Sequence, residues 1–212
     1  WGPEWKKAIR AKCNMPLKFS FLEMDDLFRE SRYRMNGIHY LQAIRLYISS
    51  WISSEWRRAF RDDAFFNAVR LYAGMPAQYV TDDLMREKLR TRLEKMLVQF
   101  KPDTVYAHSL GSMVAYDTFR SFQNCGKIIL ITSGSQLGHP CLHDLYGGPL
   151  QPLPVKAWIN LHNENDKLFA SRPLRIAALN FTEEQTPFVY GSLSHDALHY
   201  IEKSQLAWEA VK

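Results

Sequence analysis

Apolar positions along this chain fall into two kinds of run, and their alternation is the first structural signal. Lys127-Ile128-Ile129-Leu130-Ile131-Thr132 and Val155-Lys156-Ala157-Trp158-Ile159-Asn160-Leu161 are short and almost continuously apolar, as in parallel strands covered on both faces. Thr104-Val105-Tyr106 is a third run that favours an extended backbone. Around them, apolar residues recur at helical spacing. Residues 4–12 set Trp5, Ala8 and Ile9 against Lys6, Lys7 and Arg10. Leu84, Met85, Leu89, Leu93, Met96, Leu97 and Phe100 line a helix that begins behind Thr81-Asp82-Asp83 as N-cap and stops before Pro102. Arg86, Lys88, Arg90, Arg92 and Lys95 make its solvated face. Met113 to Phe119 is helical, and a last helix runs from just after residue 195 to about Val211. Strands alternating with helices predict an α/β domain with a mostly parallel sheet and right-handed crossovers.

Other stretches read less directly. Leu17 to Leu22, after Pro16, alternates and is rich in aromatics, which predicts a strand with Asp25-Asp26-Leu27-Phe28 at or just past its end. From Ile38 to about Phe60, Leu41, Ile44, Ile48, Trp51 and Ile52 form a helical stripe, with Tyr40, Tyr47 and Trp56 off it. Two readings stand for the region of about 38–80: plain core packing, or a helical cap, since the insertion is longer than a βα connection requires. His139 to Pro154 reads as a polar, proline-bearing crossing between strands.

Composition narrows the class. The 212 residues suit one α/β domain with a sizeable core. Apolar residues make up 46% and charged residues 23%, ordinary for a globular protein, and no apolar run reaches the length of a membrane span. A formal charge of +5 comes from Lys and Arg spread from Lys6 to Lys212, not from a basic block, and no nucleic-acid motif accompanies it. Cys13, Cys125 and Cys141 are odd in number and widely spaced, which argues against a disulfide framework and for a reducing cytoplasm. The chain opens on Trp1 without a methionine or a signal-peptide pattern, so it is read as part of something longer, a single domain over 1–212 lacking its N-terminal strand.

Candidate chemistry centres on Val105-Tyr106-Ala107-His108-Ser109-Leu110-Gly111. It reads as strand, sharp turn and helix with Ser109 at the turn, a G-x-S-x-G nucleophile elbow with alanine in the first glycine position. Such a turn presents the serine oxygen at the end of the sheet and aims helix N-terminal N–H groups at a forming oxyanion. Ligands and catalytic groups of such sheets gather beyond the carboxyl ends of the strands. Asp166, after the 155–161 strand, and His195, before the last helix, meet that condition in the order serine, acid, histidine. His195 would take the Ser109 proton and return it to the leaving group, Asp166 would orient the ring, and the Leu110 N–H would be one oxyanion donor. The chemistry calls for no cofactor and no metal.

The competitors are Glu164 for the acid and His199 for the base. His108 is read as a residue of the surroundings, because its side chain must point away from that of Ser109. His139 and His143, with Asp144, have a spacing that could hold a metal on a helix, but Gly138, Pro140, Gly147 and Gly148 argue against a helix there. Asp117 is read as structural.

These segments resemble the α/β-hydrolases related to triacylglycerol lipases and GPI-inositol deacylases. Tyr106 to Asp117 resembles their "HSLG" elbow, Thr132 to Gly138 their "GSPLG" loop, Trp158 to Leu161 with Asp166 their "W-x-N" strand and acid, and Ser194-His195-Asp196 with Tyr200-Ile201 their histidine loop. The likeness covers the second half of the chain well and the first half in outline. It departs at Ala107, at Gln136 in place of the loop proline, and at Lys167 where a proline often follows the acid; the His-Gly oxyanion loop has no counterpart. The resemblance implies a serine esterase acting on a small-molecule or lipid ester through an acyl-enzyme. The other reading is a hydrolase-like binding or effector module of a larger protein. The basic charge and the Trp-rich 40–60 helix also suggest peripheral membrane contact, compatible with a lipase.

Overall fold

The computed structural model describes residues 2–13, 16–32, 76, 78–168, 170–191 and 194–211. The region of about 38–80 proposed as a cap, with its aromatic stripe, lies almost wholly outside the described residues.

Among the described residues, four parallel strands form one sheet in the order β1-β2-β3-β4: β1 (Thr104–His108), β2 (Ile129–Ser133), β3 (Ala157–His162) and β4 (Phe181–Gln185). Around it lie α1 (Gly2–Lys12), α2 (Asp25–Arg32), α3 (Asp83–Phe100), α4 (Leu110–Phe119), α5 (Pro140–Leu145), α6 (Ala197–Lys203) and α7 (Leu206–Ala210), with residues 78–81 also helical. This is an α/β fold.

The sheet is covered on both faces, which is why its central strands read as continuous apolar runs. Leu130 and Trp158 turn to one side, into a core with Leu89, Leu93 and Leu97 of α3 and Met113, Val114 and Phe119 of α4. Ile129, Ile131, Ile159 and Leu161 turn to the other, against Ile9 of α1, Tyr200 and Ile201 of α6 and Trp208 of α7. Each fully buried aliphatic side chain contributes on the order of 1.5–3 kcal/mol. A polar chain crosses the sheet interior: Thr132 Oγ1 donates to Asn160 Oδ1 at 2.8 Å and accepts from Trp158 Nε1 at 2.9 Å.

Helix α3 starts as expected, with Asp82 outside the helix and its carboxylate accepting the Met85 N–H at 2.9 Å. It ends on Lys101, a left-handed residue with φ 45° just before Pro102. One arginine of its solvated face, Arg92, grips Asp26 of α2 through both carboxylate oxygens, at 2.7 and 2.8 Å.

Four expectations change. Leu17 to Leu22 is not a strand: Leu17 and Phe19 do turn inward, but the segment carries no ladder bonds, so its alternation records an extended backbone packed on the second core. Residues 25–32 form helix α2, which buries Leu27 and Phe28. The 139–144 segment is partly helical after all, as α5. Pro140 suits a first helical position, where no N–H is needed, and the glycines expected to break the helix sit beyond it, with φ 73° at Gly147 and 137° at Gly148. The last helix is broken at Ser204-Gln205, where Glu184 of β4 accepts from Ser204 Oγ at 2.6 Å and from the Gln205 N–H at 2.8 Å.

Candidate active site

The turn after β1 is held under strain. Ser109 has φ 53° and ψ −126°, a conformation that costs a non-glycine residue about 1–3 kcal/mol. Its N–H donates to Ser133 O at 2.9 Å, tying the turn to the end of β2, and its carbonyl accepts the Ser112 N–H at 2.9 Å as well as the Ser112 hydroxyl. Ser112 Oγ also meets Ser135 Oγ at 2.7 Å, so the loop after β2 is fastened to the first turn of α4. The departure at Ala107 is accommodated, since a Cβ placed on Gly111 would meet the Ala107 methyl only at 4.0 Å.

Asp166 lies in the turn that follows β3 and is 1% exposed. Oδ1 accepts the Leu168 N–H at 2.9 Å. Oδ2 accepts the Tyr200 hydroxyl at 2.8 Å and faces His195 Nδ1 at 2.6 Å. Burial, and next the Asp166 charge, hold the Tyr200 pKa far above the ordinary phenol value, so this hydroxyl stays a donor. Glu164, the competing acid, is exposed.

His195 precedes α6 and follows Ser194, itself left-handed at φ 51°. Asn163 anchors this loop to the end of β3, its amide donating to Phe188 O at 3.0 Å and to Ser194 O at 3.4 Å. The His195 side chain is 4% exposed. With Nδ1 donating to the carboxylate, Nε2 of the neutral ring is an acceptor, and it is buried with no hydrogen-bond partner among the described residues.

His108 is closer to this chemistry than the alternation of the strand suggests. Its ring packs on that of His195, 4.7 Å between centroids at 38°, and its Nδ1 meets Ser133 Oγ at 3.0 Å. Burial, reinforced by the neighbouring His195, pushes its pKa well below the ordinary histidine value. Gly134, at φ 52°, leaves room for both rings: a Cβ there would come within 2.8 Å of His108 Cε1 and 2.9 Å of His195 Cε1.

The residue that sequence reasoning passed over is Gln136. It was noted only as a departure from a proline, yet its side-chain Nε2 donates to Ser109 Oγ at 3.0 Å and to Leu168 O at 3.4 Å. The carbonyl partner fixes which end of the amide is nitrogen, because only a donor satisfies Leu168 O. Gln136 is 4% exposed, and its Oε1 is buried without a hydrogen-bond partner among the described residues. Leu110 opens α4, where the first N–H groups have no intrahelical acceptor.

The other candidates lie elsewhere. His199 stacks on Tyr190 at 4.1 Å between centroids and faces Asp196, its Nδ1 3.3 Å from Oδ1. Asp117 accepts the Tyr79 hydroxyl at 2.7 Å, a structural link between α4 and the helical residues 78–81. Among the described residues no group of three or more His, Cys, Asp or Glu side chains is placed to hold a metal, His139 and His143 included. Chemically, Ser109 stands just past the carboxyl end of β1 and Asp166 past that of β3, with His195 paired to Asp166 and its other ring nitrogen a buried acceptor. Comparison of the chain with protein-family models, with curated proteins and with solved structures gave no match.

Proposed function

We propose that this protein is a serine hydrolase of the α/β-hydrolase class that cleaves a carboxylic ester through a Ser109–His195–Asp166 triad. The observation that carries the reading is the polarity of His195. One ring nitrogen is clamped to a buried carboxylate and the other is left as a buried acceptor, while Ser109 is held in a strained turn at a helix N-terminus.

The mechanism follows from these groups. Ser109 Oγ turns toward His195 Nε2, gives it the proton and bonds to the acyl carbon. The carbonyl electron pair moves to oxygen, where the Leu110 N–H donates to it. Asp166 stabilises the imidazolium, which then protonates the departing alcohol. Water repeats the steps to release the acid. The substrate is a small-molecule or lipid ester. Cys13 and Cys125 are buried cysteines that form no disulfide among the described residues, in keeping with a cytoplasmic setting, and no helix among the described residues is long and apolar enough to cross a membrane.

The test is activity-based labelling with a fluorophosphonate. Wild type is expected to label at Ser109, and Ser109→Ala and His195→Ala to lose the label while remaining folded. A folded wild type that does not label at all overturns the reading. It would favour the second one, a hydrolase-like binding or effector module, to which a single observation points: Ser109 Oγ is bonded to Gln136 and not to His195.

A further inference from the structure

The contact between Gln136 and the serine poses a problem for a hydrolase and also answers one. Among the described residues the Leu110 N–H is the single backbone donor nominated for an oxyanion, whereas stabilising a tetrahedral intermediate takes preorganised donors aimed at its oxygen. On the strength of the serine-hydrolase reading, on which this inference rests, we infer that the Gln136 side-chain amide is the second oxyanion donor, resting on Ser109 Oγ until substrate arrives.

Position comes first. The oxyanion and Oγ are bonded to the same tetrahedral carbon, so an amide already 3.0 Å from Oγ needs only a small swing to reach the new oxygen. The amide is also fixed from behind. Its second N–H points to Leu168 O at 3.4 Å, and the Leu168 N–H in turn donates to Asp166 Oδ1 at 2.9 Å. One residue, Leu168, therefore bridges the glutamine and the acid through its carbonyl and its N–H. The turn that carries Gln136 has little freedom, because Ser135 is tied to Ser112, Leu137 is fully buried, and a Cβ on Gly138 would strike Arg172 O at 2.6 Å. Such bracing is what preorganisation requires.

Hydrogen-bond demand supports the same exchange. In the resting arrangement Gln136 Nε2 occupies an acceptor site on Oγ while His195 Nε2 has no partner. When an acyl carbonyl enters, its oxygen takes the Gln136 N–H and Oγ is released to donate its proton to His195. As the Oγ–C bond forms, the C=O π pair moves to oxygen between the Leu110 and Gln136 donors. The pair returns as the leaving oxygen departs with the proton from His195. A proline at position 136 has no side-chain donor and could not take this part.

The experiment uses Gln136→Met, which keeps volume and removes the amide, and Gln136→Glu, which keeps shape and puts an acceptor where the donor was. Fluorophosphonate labelling rates at Ser109 are measured with thermal unfolding, together with hydrolysis of p-nitrophenyl butyrate and of its thiono analogue, whose sulfur accepts hydrogen bonds poorly. Loss of one oxyanion donor lowers kcat roughly 10²–10³-fold. The expected result is a fall of that order in labelling rate and kcat in both variants, KM within a few fold of wild type, and loss of the wild-type preference for ester over thionoester. A wild type that labels, beside variants that label equally fast or keep the full ester preference, overturns the donor role and leaves the hydrolase reading intact. Faster variants overturn it too, since Gln136 would then be a latch on the nucleophile. A wild type that does not label removes both readings together.

Discussion

The imidazoles of His108 and His195 lie face to face at a tilt of 38°, 4.7 Å between centroids, so only one of the two rings can readily carry a proton. Burial is the larger reason why that ring is not His108, and the proximity of His195 adds to it; both push its pKa well below 6.5. His108 is therefore neutral throughout the range in which a histidine base works, packing against the His195 ring without competing for its proton. In an NMR titration the His108 ring should take up its own proton at a lower pH than an ordinary histidine. A midpoint for that ring at or above 6.5 would show that it is not desolvated as the packing indicates.

Both rings depend on the absence of a side chain at position 134. Gly134→Ala would put a methyl within 2.8 Å of His108 Cε1 and 2.9 Å of His195 Cε1, on a backbone at φ 52°. Overpacking of this kind costs about 1–3 kcal/mol, and a left-handed alanine adds about 1–2 kcal/mol. Because the clash falls on the base itself, the Ser109 labelling rate should drop further than the loss of stability accounts for. A variant that melts early but labels normally at a temperature where it is folded would contradict this placement of the rings.

Tyr200→Phe isolates one of the three donors on Asp166. The hydroxyl is 2.8 Å from Oδ2, between groups that are both almost fully buried. Removing a hydrogen bond to a charged group costs about 1.5–3 kcal/mol. The denaturation midpoint should fall accordingly, and labelling should slow by on the order of tenfold, equivalent to about 1.4 kcal/mol of activation free energy. Unchanged stability would mean that water replaces the phenol.

How far the chain could be read before its fold was known follows from where each signal resides. β1, β2, β3 and the elbow helix α4 are local facts: apolar runs buried on both faces, and a small-residue turn. Asp166 is legible as a position from the end of β3, and His195 from the start of the last helix, even though their side-chain contact is not. β4 was missed because Phe181-Thr182-Glu183-Glu184-Gln185 carries two carboxylates, poor strand formers whose value is tertiary. Glu183 accepts the Asn160 amide and the Leu174 N–H, both at 2.8 Å, and Glu184 breaks the last helix. α2 was missed because among its described side chains only Leu27 and Phe28 are buried. Gln136 was seen and not understood, since its contact with Ser109 spans 27 residues and exists only once β1 and β2 are side by side.

The last prediction concerns stability and acid. His139 is 5% exposed, and burial foremost, then the charge of Arg172 and the proximity of His143, lower its pKa from 6.5 to about 4. The unfolded chain protonates this residue near 6.5 and the folded one only near 4, so between those values the unfolded state binds more protons. Stability must then rise with pH across that window and fall as acid is added. Above about pH 7 both states are neutral at this site and no dependence arises from it. Each pH unit between the two pKa values corresponds to about 1.4 kcal/mol, which gives a loss of about 3 kcal/mol from His139 by pH 4. His108, depressed for the same reason, works in the same direction. Urea unfolding at pH 7.5, 6, 5 and 4 should show this decline, and His139→Gln should flatten it by nearly one proton while leaving the slope from His108. A variant with the wild-type slope would mean that His139 is solvated in the folded protein.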